Sequence, residues 1–214
     1  DPTKIEEKIT DRTRAIMPVH FGGRPADMDA SLAIARRKKL AVIEDAAQAW
    51  GATWRATGVG ALGDLGGFSF QSSKNITAGE GGMLLTNDES LAKLAKSYSN
   101  CGRMADGLWY AHYLLAGNQR MTEFQAAILR AQLQRFPQHL AVRQESMKLL
   151  DSRLAELPGF SPLQNDDRVT SHACHLYIFR YHPAQLDGIA KETLIEALRS
   201  EGIPCSPGYT IPLY

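Results

Sequence analysis

The stretch AIMPVHFGGRPADMDASLAIARRKKLAVIED, residues 15–45, sets the fold. Residues 15–19, AIMPV, are a short apolar run with strand character. GGRPADMD follows as a turn, with Asp27 and Asp29 as good helix-capping residues. From Ala30 to Lys39 the apolar residues Leu32, Ile34 and Ala35 fall at helical spacing. The run beginning at Leu40 then reads as a second buried strand over 40–44. A strand, a helix and a strand with short connections form a βαβ unit, which requires a parallel sheet with helices packed on it.

Further along, GGFSF (66–70) and GGMLLTN (81–87) read as strands, and 88–98 as a helix with Leu91, Leu94 and Ala95 on one face. Residues 121–135 carry Phe124, Ala127, Ile128, Ala131 and Leu133 in the pattern of a long amphipathic helix. Pro137 is expected to break it. A further helix runs to about Leu157, where LPG ends it. HLYIFRYH (175–182) alternates like a strand, and the helix after it closes at Gly202. The expected organisation is an α/β domain over 1–136, then a connecting helix and a smaller α+β domain over 137–214.

The composition is that of an ordinary globular chain. With a net charge of +1, nothing favours a nucleic-acid or membrane surface as partner. The one basic run, RRKK at 36–39, reads as a solvated helix end favoured by the helix dipole. Three cysteines, Cys101, Cys174 and Cys205, are an odd number without framework spacing, so reduced thiols and a cytoplasmic location are expected. No signal peptide and no membrane-length apolar run is legible. The chain opens already heading into a strand and closes on SPGYTIPLY, which reads as a fragment of a longer protein.

In open α/β sheets, ligands sit at the carboxyl ends of the parallel strands. Asp45 is delivered to that edge, although a turn aspartate would look the same. Lys74 lies in FSFQSSKNITAGEGG, 68–82, among Ser69, Ser72, Ser73, Gly79, Gly81 and Gly82. Lysines are usually solvated. Here the glycines let a backbone approach a ligand closely, and the hydroxyls and free N–H groups suit a phosphate. A lysine near a phosphate site, with a carboxylate on a neighbouring strand, points to pyridoxal phosphate (PLP), the lysine forming a Schiff base and the aspartate pairing with the pyridinium nitrogen. GVGALGDLGG is not a dinucleotide fingerprint, because it does not join a strand to a helix. His172 and His175 in HACH lack a second ligand cluster, so no metal site is expected. His20 either lines the cofactor edge or is a satisfied turn histidine, and Trp50 and Trp54 fill the core or an interface.

VIEDAAQAWGA, GDLGGFSFQSSKNITAGEGG and GNQRMTEFQAAIL occur in this order, and together they resemble the DegT/StrS group of sugar and cyclitol aminotransferases. The resemblance implies the PLP-dependent transferase fold of type I. It implies Lys74 as the Schiff-base lysine, Asp45 at the pyridine nitrogen, Gln48 near the ring's phenolic oxygen and Ser69 as a phosphate-binding hydroxyl. It also implies that Asn118, with help from Arg120, reaches the phosphate of a neighbouring subunit, making a homodimer with a shared active site. The implied reaction moves an amino group from glutamate or glutamine, through pyridoxamine phosphate, to a keto-sugar, often nucleotide-linked, or a keto-cyclitol. A sugar dehydratase of the same group is the alternative; its pattern has histidine in place of Lys74. A catalytically incompetent homologue is the other, against which the intact lysine, aspartate and serine stand. The group's phosphate loop and ring-stacking aromatic fall before Asp1. Tyr214 stands where many sugar-nucleotide members carry histidine, which resembles the cyclitol-type members.

Overall fold

The structure, a computed structural model, describes residues 1–209; Tyr214 lies outside the described residues. Strand β1 (Ala15–Ile16), helix α1 (Met28–Lys38) and strand β2 (Ala41–Asp45) form the expected parallel unit, Ala15 pairing with Ala41 and Ile16 with Val42. The first strand is shorter than the apolar run because Pro18 has no N–H to give the ladder. Pairing resumes beyond it: the Pro18 carbonyl accepts from Asp45 N–H at 2.9 Å, and Val19 bridges Asp45. Helix α1 starts where the Asp27 carboxylate accepts from Ala30 N–H, and it stops at Lys39, which turns to φ 54°. Arg36, Arg37 and Lys38 fill its last turn, where the helix dipole favours cations.

The chain then makes two short strands, β3 (Thr53–Trp54) and β4 (Thr57–Gly58), before entering β5 (Leu65–Ser69) and β6 (Gly82–Leu85). The main sheet has the order β1-β2-β5-β6, with β5 parallel to β2 and β6 antiparallel to β5. Gly66 is required in β5, since a Cβ there would stand 2.1 Å from the Gly60 carbonyl oxygen. Helix α2 (Glu89–Ser99) is capped by Asp88. Helix α3 (Glu123–Ala155) follows.

Pro137 does not break the helix as expected: α3 continues through it. A proline removes one hydrogen bond and crowds the preceding turn. Tertiary packing on both sides holds the helix together, for Phe136 and Leu140 both press on Gly51, within 2.9 Å of the position its Cβ would take.

The chain divides into two compact units, 1–145 with 165–177, and 146–164 with 178–214. The first contains the main sheet and β8 (Val169–Ser171), which joins β3 and β4. Its core runs in three clusters: Met28, Val42 and Trp54; Ala46, Ala49 and Phe68; and Phe70, Ile76 and Leu129. The second contains β7 (Phe160–Pro162) paired antiparallel with β9 (Phe179–Tyr181), and helix α4 (Lys191–Ser200), beyond which Gly202 takes φ 80°. The strand expected over 175–182 is confined to β9. Residues 172–176 are drawn elsewhere by their backbone: Ala173 N–H donates to the Gly23 carbonyl and Leu176 N–H to the Gly22 carbonyl.

Candidate functional site

Successive residues of a strand point to opposite faces. Glu44 is buried in the core, so Asp45 faces the other way, at the carboxyl end of β2. Its register partner is Gly67, and Ser69 lies two residues further along β5, so Asp45 and Ser69 share one face of the sheet. Gly67 leaves that face open: the nearest atom to a Cβ there is the Glu44 carbonyl oxygen, 3.9 Å away. Asp45 Oδ1 accepts from Ala47 N–H at 3.0 Å; its other oxygen has no protein donor among the described residues. Ser69 is fixed from behind by Trp50, whose Nε1–H donates to its carbonyl at 3.1 Å. The Trp50 ring packs on Phe68 and Phe70, with centroids 4.4 and 5.2 Å away. Ser69 Oγ accepts from Gln71 N–H at 3.2 Å, which leaves its hydrogen to give.

Lys74 stands on the turn that follows. The turn is anchored at both ends, because Phe70 N–H donates to Gly81 and Ala78 N–H donates back to Phe70. Ile76, with no exposed surface, plugs the cluster of Phe70 and Leu129. Gln132 of α3 grips Thr77 twice, accepting from its N–H at 3.2 Å and donating to its carbonyl at 2.6 Å. Asn75 Nδ2 donates to the Ala173 carbonyl at 2.6 Å. The half-buried Lys74 side chain is thus carried on a fixed backbone, and its amino group has no hydrogen-bond partner among the described residues.

Gln48 Oε1 accepts from Gly22 N–H at 2.7 Å, which leaves its amide hydrogens free to donate. Gly22 and Gly23 adopt φ 66° and 91°, a conformation side chains resist. The loop is locked from the core by His20 and Glu44, both 0 % exposed. His20 Nδ1 accepts from Ala26 N–H at 3.0 Å, so the ring hydrogen sits on Nε2 and donates to Glu44 Oε2 at 2.9 Å. Glu44 also accepts from the amides of Gly60, Leu62 and Gly63, each at 2.7 Å. Burial raises the Glu44 pKa, but the bonds from His20, Gly60 and Gly63 outweigh it and hold the carboxyl below its usual range. His20 is therefore the satisfied turn histidine of the two readings. Sequence reading passed over Glu44, although its phase, two residues from Val42 on a buried strand, marked a core carboxylate in need of donors. It also passed over Asn75.

The structure brings Asp45, Gln48, Ser69 and Lys74 to one edge of the sheet. Asn118 stands apart from them, in the exposed loop after α2, where it bridges Asn100 and its Oδ1 accepts from Arg120 N–H at 3.2 Å. Arg120 Nη1 donates to Asn100 Oδ1 at 2.7 Å. The same loop exposes Leu108, Trp109 and Leu115 at 79, 94 and 100 %. Among the described residues no three His, Cys, Asp or Glu side chains gather as a metal site. No helix of the described residues is long and apolar enough to cross a membrane.

The donor set suits a ligand with three features: a ring nitrogen that needs an anion, an aldehyde that needs an amine, and a phosphate that needs hydroxyl and N–H donors. The free Asp45 oxygen, the unpartnered Lys74 amine and the Ser69 hydroxyl meet these in turn, and the open face at Gly67 leaves room. These residues fit PLP.

Comparison with known proteins points the same way. The model of the DegT/DnrJ/EryC1/StrS aminotransferase family matches residues 1–214. A putative L-glutamine:3-amino-2,3-dideoxy-scyllo-inosose aminotransferase of Streptoalloteichus tenebrarius is 43% identical over 205 residues, covering 95% of this chain and 49% of that protein. The chain thus spans about half the length of the curated relatives it matches. The X-ray structure of an aminotransferase from Psychrobacter cryohalolentis superposes with a TM-score of 0.87 at 34% identity, covering 97% of this chain and 57% of that one. The E coli GDP-4-keto-6-deoxy-D-mannose-3-dehydratase with bound hydrated PLP superposes with a TM-score of 0.86 at 25% identity, covering 98% and 57%.

Proposed function

The chain belongs to the DegT/DnrJ/EryC1/StrS aminotransferase family, and we propose that it carries the cofactor-binding core of a PLP-dependent aminotransferase acting on a keto-cyclitol or keto-sugar. The observation that carries this reading is the Lys74 amine, without a protein partner on a rigid turn, beside a strand end whose aspartate keeps one oxygen free. The names of the relatives support glutamine as donor and a keto-cyclitol as acceptor. Lys74 itself weighs against a dehydratase, whose pattern places histidine there.

When bound, PLP supplies an aldehyde that condenses with amines and a ring that accepts an electron pair from the substrate carbon. Lys74 would be the amine that holds the cofactor and the base that moves a proton at the substrate carbon. Asp45 holds a negative charge at the ring nitrogen, which keeps the nitrogen protonated. Gln48, whose Oε1 is held by Gly22 N–H, would have its amide hydrogens available for the ring's phenolic oxygen. The Ser69 hydroxyl donates to the phosphate. Asn118, on its exposed loop, completes the phosphate site of a second copy. The apolar side chains of Leu108, Trp109 and Leu115 beside it are covered in that homodimer, and the protein works in the cytoplasm.

The test is an absorbance spectrum of the purified chain with PLP, before and after borohydride, followed by peptide mapping. A band that borohydride fixes on Lys74 is expected, and Lys74→Ala should abolish it. A band that survives in Lys74→Ala would overturn the assignment.

A further inference from the structure

Pyridoxal phosphate carries its aldehyde and its phenolic oxygen on neighbouring ring atoms. An amine that meets the first and an amide that meets the second must keep one spacing, because a misplacement of about 1 Å costs on the order of a hundredfold in rate. Here the two groups stand on separate elements, Lys74 on the turn after β5 and Gln48 on the segment after β2. Residues 172–176 form a strut bonded both to the Lys74 turn and to the loop that holds Gln48.

Asn75, the residue next to Lys74, makes the first connection. Its Nδ2 donates to the Ala173 carbonyl at 2.6 Å, and its Oδ1 lies 3.4 Å from His175 Nδ1. The second connection runs to the glycine loop. Ala173 N–H donates to the Gly23 carbonyl at 2.9 Å and Leu176 N–H to the Gly22 carbonyl at 3.0 Å. Gly22 N–H in turn donates to Gln48 Oε1 at 2.7 Å. Packing is as close as the bonding: a Cβ on Gly23 would stand 2.9 Å from both the Ala173 Cβ and the Gln48 carbonyl oxygen. Ala173 has no exposed surface and packs in the cluster of Ala46 and Ala49, which bracket Gln48 in sequence. Helix α3 braces the strut independently. Arg143 Nη1 donates to the Cys174 carbonyl at 3.1 Å, and Gln144 Nε2 to the His172 carbonyl at 3.0 Å.

We propose that Asn75 is a positioning residue for Lys74: it fastens the lysine turn to the strut that also anchors the Gln48 loop, so that the amine and the ring-facing amide keep one spacing. The inference rests on the proposed function in giving Lys74 and Gln48 a common ligand. The bonds from Asn75 end on the strut and on none of Asp45, Gln48 or Ser69. Its loss should therefore misplace the amine and leave the rest of the cofactor site intact.

The first measurement follows backbone amide exchange in the cofactor-free whole protein. Asn75→Ala should speed exchange at Lys74 about tenfold, the scale of one lost hydrogen bond, with little change at Ala173 and Leu176, which α3 still braces. Should Asn75→Ala fail to fold, Asn75→Asp, which keeps the shape and loses the donor, replaces it here. The second measures, against PLP concentration, the rate at which PLP becomes trappable by borohydride on Lys74. In Asn75→Ala the saturating rate should fall about tenfold or more, while the half-saturating concentration stays within about twofold. Unchanged exchange at Lys74, or equal loosening of Ala173 and Leu176, would overturn the proposal, the latter by showing that Asn75 builds the strut. So would an unchanged saturating rate, or a half-saturating concentration that rises with the loss of rate. If the unmodified protein never traps PLP on Lys74, the proposed function fails, and the exchange data still decide whether Asn75 fastens the turn.

Discussion

His20 Nε2 and Glu44 Oε2 meet at 2.9 Å with no exposed surface on either residue, directly behind the strand end that carries Asp45. Glu44 collects four donors there, from His20, Gly60, Leu62 and Gly63. The pair joins three segments: the loop at His20, the end of β2, and the turn before β5. Asp45 inherits its position from this junction, as the next residue along and through His20 N–H on its own carbonyl at 3.0 Å.

Glu44→Ala leaves those four donors buried without an acceptor, and removing one partner of a buried charged network costs about 3–5 kcal/mol. Urea unfolding should show that loss, with Glu44→Gln between it and the unmodified chain. The pKa is lowered in the folded state, so the stabilisation is present above the ordinary value of 4.5 and lost as pH falls through the lower folded value.

A second acid-sensitive junction ties the loop before β8 to the start of α1. Arg168 bonds Asp27 at 3.0 Å and Asp166 at 2.8 Å and lies over the Trp54 ring, 4.6 Å from its centroid. Asp29 is held by Arg55 and by Trp54 Nε1–H. Hydrogen bonds from Arg55 and Trp54 lower Asp29 to about 2, and the bond from Arg168 lowers Asp166 to about 2. Their contribution is complete above the ordinary 3.8 and disappears as pH falls through about 2. Melting temperatures of the unmodified chain and Arg168→Gln should therefore converge as pH drops from about 5 to 2. A gap that stays constant over that window would contradict the assignment.

How far the sequence could be read follows from where its signals are local. The βαβ unit was legible because Leu32, Ile34 and Ala35 repeat at helical spacing between two apolar runs, and because the Asp27 cap acts within its own turn. The places of Asp45 at a strand end and of Lys74 on a turn were legible because apolar strand runs and glycine-rich turns are marked by adjacent residues. Asn75 was not, because its partners Ala173 and His175 lie about a hundred residues away. The same holds for the start of HLYIFRYH: its alternation favours a strand, and the bond from Leu176 N–H to the Gly22 carbonyl, with that from Ala173 N–H to Gly23 just before it, takes the backbone instead. Pro137 misled for a related reason, since its helix is held by contacts with the distant Gly51.

Pro137→Ala should stabilise the chain. It restores an N–H to a helix that already runs through the position, and a proline in a helix interior costs about 3 kcal/mol relative to alanine. Greater freedom of the unfolded chain takes back about 0.4–1 kcal/mol, and Phe136 and Leu140 have already settled around the proline. A net gain of roughly 1–2 kcal/mol in urea unfolding is expected. A loss would mean that the proline sets a bend which the packing on Gly51 requires.

Asp45→Asn separates the charge of the site from its architecture. The amide oxygen can still accept from Ala47 N–H, and the backbone bonds of Asp45 to His20 and Pro18 do not involve the side chain. Stability should therefore change by no more than about 0.5 kcal/mol, as for substitutions that disturb no buried network. A neutral amide cannot hold a positive charge at the ring nitrogen. Turnover of the whole enzyme should fall about a hundredfold or more, the scale on which removing one fixed electrostatic group acts. PLP should still become trappable on Lys74, because the lysine turn is anchored by Ile76, Asn75 and Gln132 rather than by β2. Near-normal turnover in Asp45→Asn would show that some other group carries the charge, and loss of trapping together with folding would show that Asp45 builds the site rather than charging it.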